Sequence, residues 1–545
     1  MRETYAKHTV VDITAEELAR AARLREMKLV GAACFFALLL GGLYILGGDN
    51  FGAPLLVATG IALTSAAWYF PRSAPAITLG LACLFELTIS LDFKMPRTDQ
   101  FPIFWDWNTV VQRYMNVPSF HAMPFSPFEV FIALSVSSFL IRGIVFHDLR
   151  VKHDGLVWLF FGFLACVALS LVVGMATGGA FNKAMFEIRP LAYLVLAYLL
   201  STNMTTDTDA QTRRLLWVTA LCVGFKAAQA AIRYVVEQHG STIPEIGIGT
   251  HEESFFFDAF ALMLVVLWLT GAEPGLRWLM TLFFPVVLWM NAANQRRAAT
   301  AAFLIVIPML LALAYAALPM RRRMIRIVSI LIVVVSAIYF PAFWNKTGTL
   351  AQPARAVKSQ ISPDDRDLSS NAYRDAENAN LFETMMTSPV VGYGYGKPFI
   401  MFTNMVDLSS VDPLIRFIPH NSVLWVWMRT GTIGFTVFWV LFAAIIIASA
   451  QTCRDPRFTS TDKLVGMYVG CLAVMQLIFG LLDMQLGCCR NMLFTGTWVG
   501  LLTAVRINAL RRQSVKEPPE PEFRPQPTQW RGWSDQRARQ LRGNG

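Results

Sequence analysis

Fourteen stretches of this chain are each apolar over about the 20 residues that a helix needs to cross a bilayer, and no other feature restricts the fold as strongly. They run approximately over 29–48, 51–70, 74–93, 126–146, 155–177, 187–203, 215–235, 254–271, 276–294, 298–318, 324–343, 421–449, 464–484 and 491–507. Inside hydrocarbon the backbone must satisfy its own hydrogen bonds, and segments of this length do so as helices. With 55% of the 545 residues hydrophobic and 15% charged, a soluble globular class is excluded. The expected fold is all-α: a polytopic transmembrane bundle of about 12–14 spans with one large extracytoplasmic loop. Cys34, Cys83, Cys166, Cys222 and Cys471 fall inside apolar runs and Cys488 adjoins Cys489, a pattern of small packing residues and not of a disulfide framework. The first apolar run is span-length and has many successors, so it reads as a helix and not as a cleaved signal.

Positive charge sets the orientation. A cytoplasmic N-terminus puts Arg20, Arg23, Arg25 and Lys28, then Arg142, Arg150 and Lys152, then Arg321, Arg322, Arg323 and Arg326, then Arg454, Arg457 and Lys463 on the cytoplasmic side. An even number of spans returns the C-terminus there too. The divisions expected are a cytoplasmic juxtamembrane segment 1–28, membrane helices over 29–343, an outer loop 344–419, C-terminal membrane helices over 420–507 and a disordered cytoplasmic tail 508–545. Thr14-x-x-Glu17 resembles a capping box that opens a short basic helix. Pro518, Pro519, Pro521, Pro525 and Pro527 make the tail too polar and proline-rich for a core. Trp105, Trp107 and Tyr114 in the 94–125 loop suit an interfacial element.

Several residues break the charge rule or sit at a seam. Arg189 lies where the sixth span opens on the outer side, and Arg296-Arg297 lie in the short outer turn between the ninth and tenth. Either they snorkel to the interface, or their guanidinium forks converge on an anion such as a lipid diphosphate. The outer loop reads as an amphipathic helix through Asn371, Tyr373, Arg374, Glu377, Leu381, Phe382, Met385 and Met386, followed by the tight turn Pro389-x-x-Gly392-x-Gly394-x-Gly396. Glycines serve turns without any ligand, so this run is no nucleotide loop. His420-Asn421 stands where the loop meets the next span, a place where imidazole can exchange protons near neutral pH.

These residues carry a family resemblance. His420-Asn421, nine residues, Gly431, two residues and Gly434 resembles the signature of the O-antigen ligase and O-antigen polymerase superfamily. Arg374 with Pro389-x-x-Gly392-x-Gly394 is similar to the family's outer-loop stretch, and Glu187-Ile188-Arg189 to its Glu-x-Arg opening of a span. Asn294-Gln295-Arg296-Arg297-Ala298-Ala299 is similar to its Ser-x-Ser-Arg-Gly stretch without the serines and the glycine, and Arg297 is the better match because small residues follow it. The resemblance spans about residues 180–440.

It implies a GT-C-like membrane glycosyltransferase of the bacterial inner membrane that needs no metal or other cofactor. The enzyme would move a preassembled glycan, with inversion, from undecaprenyl pyrophosphate to the hydroxyl of a lipid or glycan acceptor. The implied partners are that donor, the acceptor and membrane lipids, with no nucleic acid among them. His420, Arg297 and Arg189 would be catalytic, with His420 as general base. Arg374, Arg296, Asn421 and Tyr373 would bind substrate, and the arginines would stabilise charge on the departing diphosphate. Gly431 and Gly434 are expected to allow close helix packing.

Other polar positions point less sharply. His251-Glu252-Glu253 matches no strong zinc spacing and suits a solvated helix start or a loop facing substrate hydroxyls. Lys226, Asp258 and Asp483 lie in apolar spans, where a buried ion pair or an ion pathway accounts for them. Tyr373, Tyr393 and Tyr395 could stack on sugars. A polysaccharide polymerase shares the proposed chemistry. A lipid-oligosaccharide flippase would instead place its charges near the midplane between repeated halves, and a silent assembly subunit would need none of them.

Overall fold

The computed structural model describes residues 52–85, 104, 125–145, 151–237, 249, 251–346, 348–409 and 414–516. Among them the regular elements are helical, and eleven helices are long and apolar enough to cross a membrane. In chain order the α-helices are α1 (Gly52–Tyr69), α2 (Ala74–Leu84), α3 (Pro127–Val145), α4 (Gly155–Ala176), α5 (Phe181–Met204), α6 (Thr208–Glu237), α7 (His251–Thr270) and α8 (Pro274–Ala293). They continue as α9 (Arg297–Ala317), α10 (Arg322–Phe343), α11 (Gln352–Ile361), α12 (Asp365–Met386), α13 (Ser422–Arg454), α14 (Ser460–Leu482) and α15 (Cys489–Lys516). The protein is an all-α, multi-pass membrane protein.

The eleven span-length helices, α3–α10 and α13–α15, coincide with eleven of the fourteen stretches expected from hydropathy. α1 occupies the second stretch and α2 the first half of the third. The first stretch, the juxtamembrane segment with Thr14 and Glu17, Trp105, Trp107, Tyr114, Cys34 and the proline-rich tail lie outside the described residues. Helix boundaries depart from hydropathy at polar ends. α5 starts at Phe181 and α6 at Thr208, while α15 continues to Lys516, so residues 508–516 are helical. Polar residues extend these helices where neighbours bury or bond them: Glu187 is fully buried in α5, and Arg512 of α15 donates to Thr208 Oγ1 at 3.3 Å.

α7 and α14 are buried over most of their length and form the centre of the bundle, whereas α10 buries only Ile325. Lipid tails are as apolar as leucine, so close backbone approach and polar pairing must hold such helices together. α15 meets α5 at Gly496 and Gly500, where a β-carbon would collide with the carbonyls of Leu194 and Tyr198. Thr202 Oγ1 donates to the Gly500 carbonyl at 3.2 Å across the same contact.

Two of the intramembrane cations, Lys226 and Arg490, are paired with carboxylates of α7. Lys226 Nζ lies 3.0 Å from Glu253 Oε1, a buried pair of lysine and carboxylate. Asp258 accepts from Asn291 Nδ2 at 2.7 Å. Arg490 reaches Glu252 at 3.1 Å and donates to the carbonyls of Ala82 and Cys83, which ties α15 to the end of α2. The start of α7 is therefore not a solvated helix start: both of its carboxylates are taken by cations from other helices. Among the described residues no group of three or more metal-binding side chains converges, and the described cysteines are free thiols.

The α5–α15 contact gives a direct expectation. Gly500→Ala forces apart two helices in backbone contact, and overpacking of this kind costs about 1–3 kcal/mol. The detergent-solubilised variant should melt at lower temperature than the wild type. Gly275→Ala, where the added carbon meets nothing within 4 Å, should leave melting unchanged.

Candidate functional site

The loop between α10 and α13 is folded onto the bundle, and α12 organises it. Asp364 caps α12 by accepting from the Asp367 N–H at 2.8 Å, and the helix extends two turns upstream of the expected amphipathic segment. Asp367, Ser370, Asn371, Arg374, Glu377, Leu381 and Met385 recur every three or four residues and therefore share one face. Leu381 and Met385 bury the C-terminal part of that face. Asn380 pins the following strand of loop, donating to the Thr403 carbonyl at 2.9 Å and accepting from the Thr403 N–H at 2.6 Å.

The N-terminal part of the same face closes a cavity of about 170 Å³. Four guanidinium groups, from Arg296, Arg297, Arg355 and Arg374, line it together with the carboxylates of Asp367 and Asp483. Positive charge is in excess. Arg297 Nη1 lies 3.2 Å from Asp367 Oδ1, and its Nη2 reaches Ser370 Oγ and Asn371 Oδ1 at 3.4 Å each. Burial pulls the Arg296 guanidinium below its ordinary pKa; Asp483 opposes that shift and Arg374 adds to it. A pocket whose cations depress one another favours an anionic guest.

The turn that delivers Arg296 and Arg297 is strained. Asn294 is held by the Gly249 N–H, which donates to its Oδ1 at 3.0 Å, and by Ser254 Oγ, which accepts from its Nδ2 at 2.8 Å. Gln295 is then driven to φ 57°, in the left-handed region that a side chain normally avoids. The chain passes from α8 to α9 in three residues, and both arginines line the cavity.

His420, just before α13, packs against α12 about one helical turn beyond Arg374. Its backbone N–H donates to Glu377 Oε2 at 3.1 Å, and its Nδ1 is 3.2 Å from both carboxylate oxygens of Glu377. Glu377 is almost fully buried, while the imidazole is 18% exposed and so remains reachable. The Tyr373 ring meets the imidazole edge-on at 5.9 Å. Arg374 and Glu377 are three residues apart, about 4.5 Å along the helix axis, so the imidazole and the arginine cavity are adjacent. Asn421 caps α13, its Oδ1 accepting from the Leu424 N–H at 3.0 Å.

The glycine run explains the spacing of the histidine motif. Gly431, separated from Asn421 by nine residues, breaks α13 with φ 65° and ψ −174°. The break frees backbone groups, and the Pro389–Gly394 turn takes them up. Tyr393 N–H donates to the Met428 carbonyl at 2.8 Å, Gly394 N–H to the Arg429 carbonyl at 3.2 Å, and Thr432 N–H to the Pro389 carbonyl at 2.8 Å. The backbones approach so closely that a β-carbon on Gly392 would strike the Arg429 carbonyl, and one on Gly431 the Val390 carbonyl. Gly431 thus does more than permit close packing: it makes the kink.

Beside the kink stands Arg429, which hydropathy and motif both pass over. It is fully buried, 2.6 Å from Glu187 Oε1. It also donates to the Gly394 carbonyl at 2.8 Å and to the Phe417 carbonyl at 3.2 Å. Glu187 in turn accepts from the Gly396 N–H at 2.7 Å and from Trp425 Nε1 at 3.3 Å. Arg189 faces elsewhere. Two residues along a helix rotate a side chain by about 200°, so Glu187 turns toward α13 and Arg189 toward α3, where its Nε lies 2.8 Å from Glu129 Oε1. Both lie inside α5 and not at its opening. The structure therefore gathers Arg296, Arg297 and Arg374 on one cavity, with His420 and Tyr373 next to it, and leaves Arg189 out of the cavity lining. Glu377 and Asp367 complete the cluster. Their signal in the sequence was the helical spacing Asp367, Arg374, Glu377; that of Arg429 was a lone charge in an apolar span.

The family described as Wzy_C, O-antigen ligase, matches residues 282–439. That stretch runs from within α8 to within α13 and contains every lining residue of the cavity except Asp483, as well as His420, Gly431 and Gly434. The chain is also similar to the O-antigen ligase of Salmonella typhimurium, with 23% identity over 269 residues, 48% of this chain and 62% of that protein. The matched region thus spans less than two thirds of the relative's length.

Breaking a buried ion pair by removing one partner typically costs about 3–5 kcal/mol, because the other charge is left unpaired in the interior. Arg429→Met should therefore lower the melting temperature far more than Arg457→Met, whose pair with Asp455 is at the surface. Differential scanning fluorimetry of the two variants checks this.

Proposed function

We propose, from the O-antigen ligase superfamily to which the match over residues 282–439 and the Salmonella relative assign this chain, that it is a membrane glycosyltransferase. In this reading it transfers a preassembled glycan from a polyprenyl pyrophosphate, undecaprenyl pyrophosphate in a bacterial inner membrane, to an acceptor hydroxyl on a lipid or glycan. One observation carries the proposal: α12 supplies Asp367, Ser370 and Arg374 to an arginine-lined cavity and, one turn later, Glu377 to His420. A diphosphate site and a proton acceptor are thus held in register by a single rigid element. The charge pattern supports an outer location for this loop and cytoplasmic termini.

In the proposed reaction Glu377 accepts from the Nδ1–H of His420, which fixes the tautomer and leaves the lone pair on Nε2. Nε2 takes the proton from the acceptor hydroxyl as its oxygen attacks the anomeric carbon. The bond from that carbon to the diphosphate oxygen breaks, the electron pair leaves with the polyprenyl diphosphate, and attack from the opposite side inverts the configuration. Arg296, Arg297 and Arg374 bind the diphosphate and stabilise the charge that grows on it. Several guanidinium groups lining one cavity supply positive charge for the diphosphate, which supports a metal-independent mechanism. Tyr373 borders the imidazole where an acceptor sugar would lie. Asn421 fixes the start of α13 and hence the approach of His420.

With purified protein, labelled donor and acceptor, His420→Ala should lower kcat by about 10²–10⁴-fold. Arg297→Ala should lower it by about 10²–10³-fold, and Glu377→Gln by less than His420→Ala. Transfer that survives His420→Ala rules this mechanism out, whereas transport of the lipid-linked glycan that survives it favours a flippase. A single addition per acceptor identifies a ligase; a ladder of products identifies a polymerase. Rates should be the same with and without EDTA.

A further inference from the structure

The opposite end of the bundle holds a second basic cavity. α5 runs from Glu187, beside the glycine turn, to Met204, roughly 25 Å along its axis. Met204 lines a cavity of about 560 Å³ formed where three connections meet: the Tyr69–Ser73 turn between α1 and α2, the last turns of α3, and the α5–α6 turn. Arg72, Arg142 and Arg214 line it, against the single carboxylate of Asp207. That carboxylate is occupied at the start of α6, where it accepts from the N–H groups of Asp209 and Ala210 at 3.0 and 3.1 Å. Arg142 donates to the Trp68 carbonyl at 2.8 Å. Among the described residues neither Arg72 nor Arg214 has an ion-pair partner.

A buried side chain points to the same ligand. Gln211 is 3% exposed and lines this cavity, yet its amide Nε2 meets no hydrogen-bond acceptor among the described residues. A buried donor without an acceptor is unfavourable, and an anionic oxygen in the cavity would relieve it. The rim carries Tyr69 and Phe70, exposed aromatics of the kind that settle at the headgroup level of a bilayer. Basic pockets between membrane helices suit phosphate headgroups.

We propose that this cavity binds a phosphate group, as presented by the headgroup of an anionic glycerophospholipid, at the membrane face opposite the arginine cavity of α12. The guanidinium groups of Arg72, Arg142 and Arg214 hold the phosphate oxygens, and the Gln211 amide donates to one of them. The glycan-transfer reading uses none of these residues, so the two stand or fall separately.

The full-length protein in neutral detergent is titrated with phosphatidylglycerol, phosphatidylcholine or inorganic phosphate while its melting temperature is followed, and bound lipid is counted by native mass spectrometry. Phosphatidylglycerol should raise the melting temperature above that with phosphatidylcholine. The double variant Arg72→Gln/Arg214→Gln should lose the difference and bind phosphatidylglycerol about tenfold more weakly, as expected for the loss of charge-assisted hydrogen bonds. The same response to inorganic phosphate, lost in the double variant, supports the phosphate site with a soluble ligand as its source. An equal response in wild type and double variant, or no response to either probe, overturns the proposal. If the double variant does not fold, Arg214→Gln alone, a change at the exposed start of α6, is titrated in its place, and unchanged affinity overturns it.

Discussion

The buried pair between Arg429 and Glu187 is the interaction on which the remaining architecture depends. A fully desolvated guanidinium inside a membrane bundle is tolerable only if its donors are met. Here Glu187 of α5, the Gly394 carbonyl of the loop between α10 and α13 and the Phe417 carbonyl three residues before His420 meet its two terminal Nη groups. Three distant parts of the chain are thereby fastened to one point on α13. The kink at Gly431 and the turn from Pro389 to Gly394 belong to the same junction, because the carbonyl groups released by the break are those the turn satisfies. A spacing of nine residues between Asn421 and Gly431 holds the imidazole above this junction and not inside it.

From that anchored junction the site is assembled by one helix. α12 carries carboxylates at Asp367 and Glu377 that engage, respectively, Arg297 and His420, and between them Arg374 faces the cavity. Arg297 and His420 are each oriented by a carboxylate of α12, so motion of this helix would disturb both together. The strained turn at Gln295 fits the same picture: Asn294 is clamped from two sides, and the backbone takes an unfavourable conformation so that two successive arginines enter one cavity. Strain maintained by surrounding hydrogen bonds is common where geometry serves chemistry.

Much of this was legible in the residues. Runs of apolar side chains disclose membrane helices because lipid imposes a single rule on every position, and the eleven span-length helices follow it. His420, Arg296 and Arg297 could be singled out because charge or imidazole at a membrane boundary needs a reason, and Arg374 through the family resemblance of its loop. Arg189 shows the limit of that logic. Its place in Glu187-Ile188-Arg189 suggested a shared site, but adjacent motif positions on a helix face different neighbours, and Arg189 pairs with Glu129. Likewise Glu252 and Glu253 read as a hydrated helix start, whereas Arg490 and Lys226 reach them from other helices.

The chain's own residues establish an all-α multi-pass membrane protein, the position of its large loop and the histidine motif at the loop's end, because these follow from local hydropathy, turn chemistry and spacing. The pairing of Glu377 with His420, the gathering of four arginines on one cavity, the exclusion of Arg189 from it and the role of Arg429 came from the packed structure. Each of these is set by which faces of non-adjacent helices meet. Hydropathy and helical periodicity define the face that a side chain occupies, but not the neighbour that the face will find.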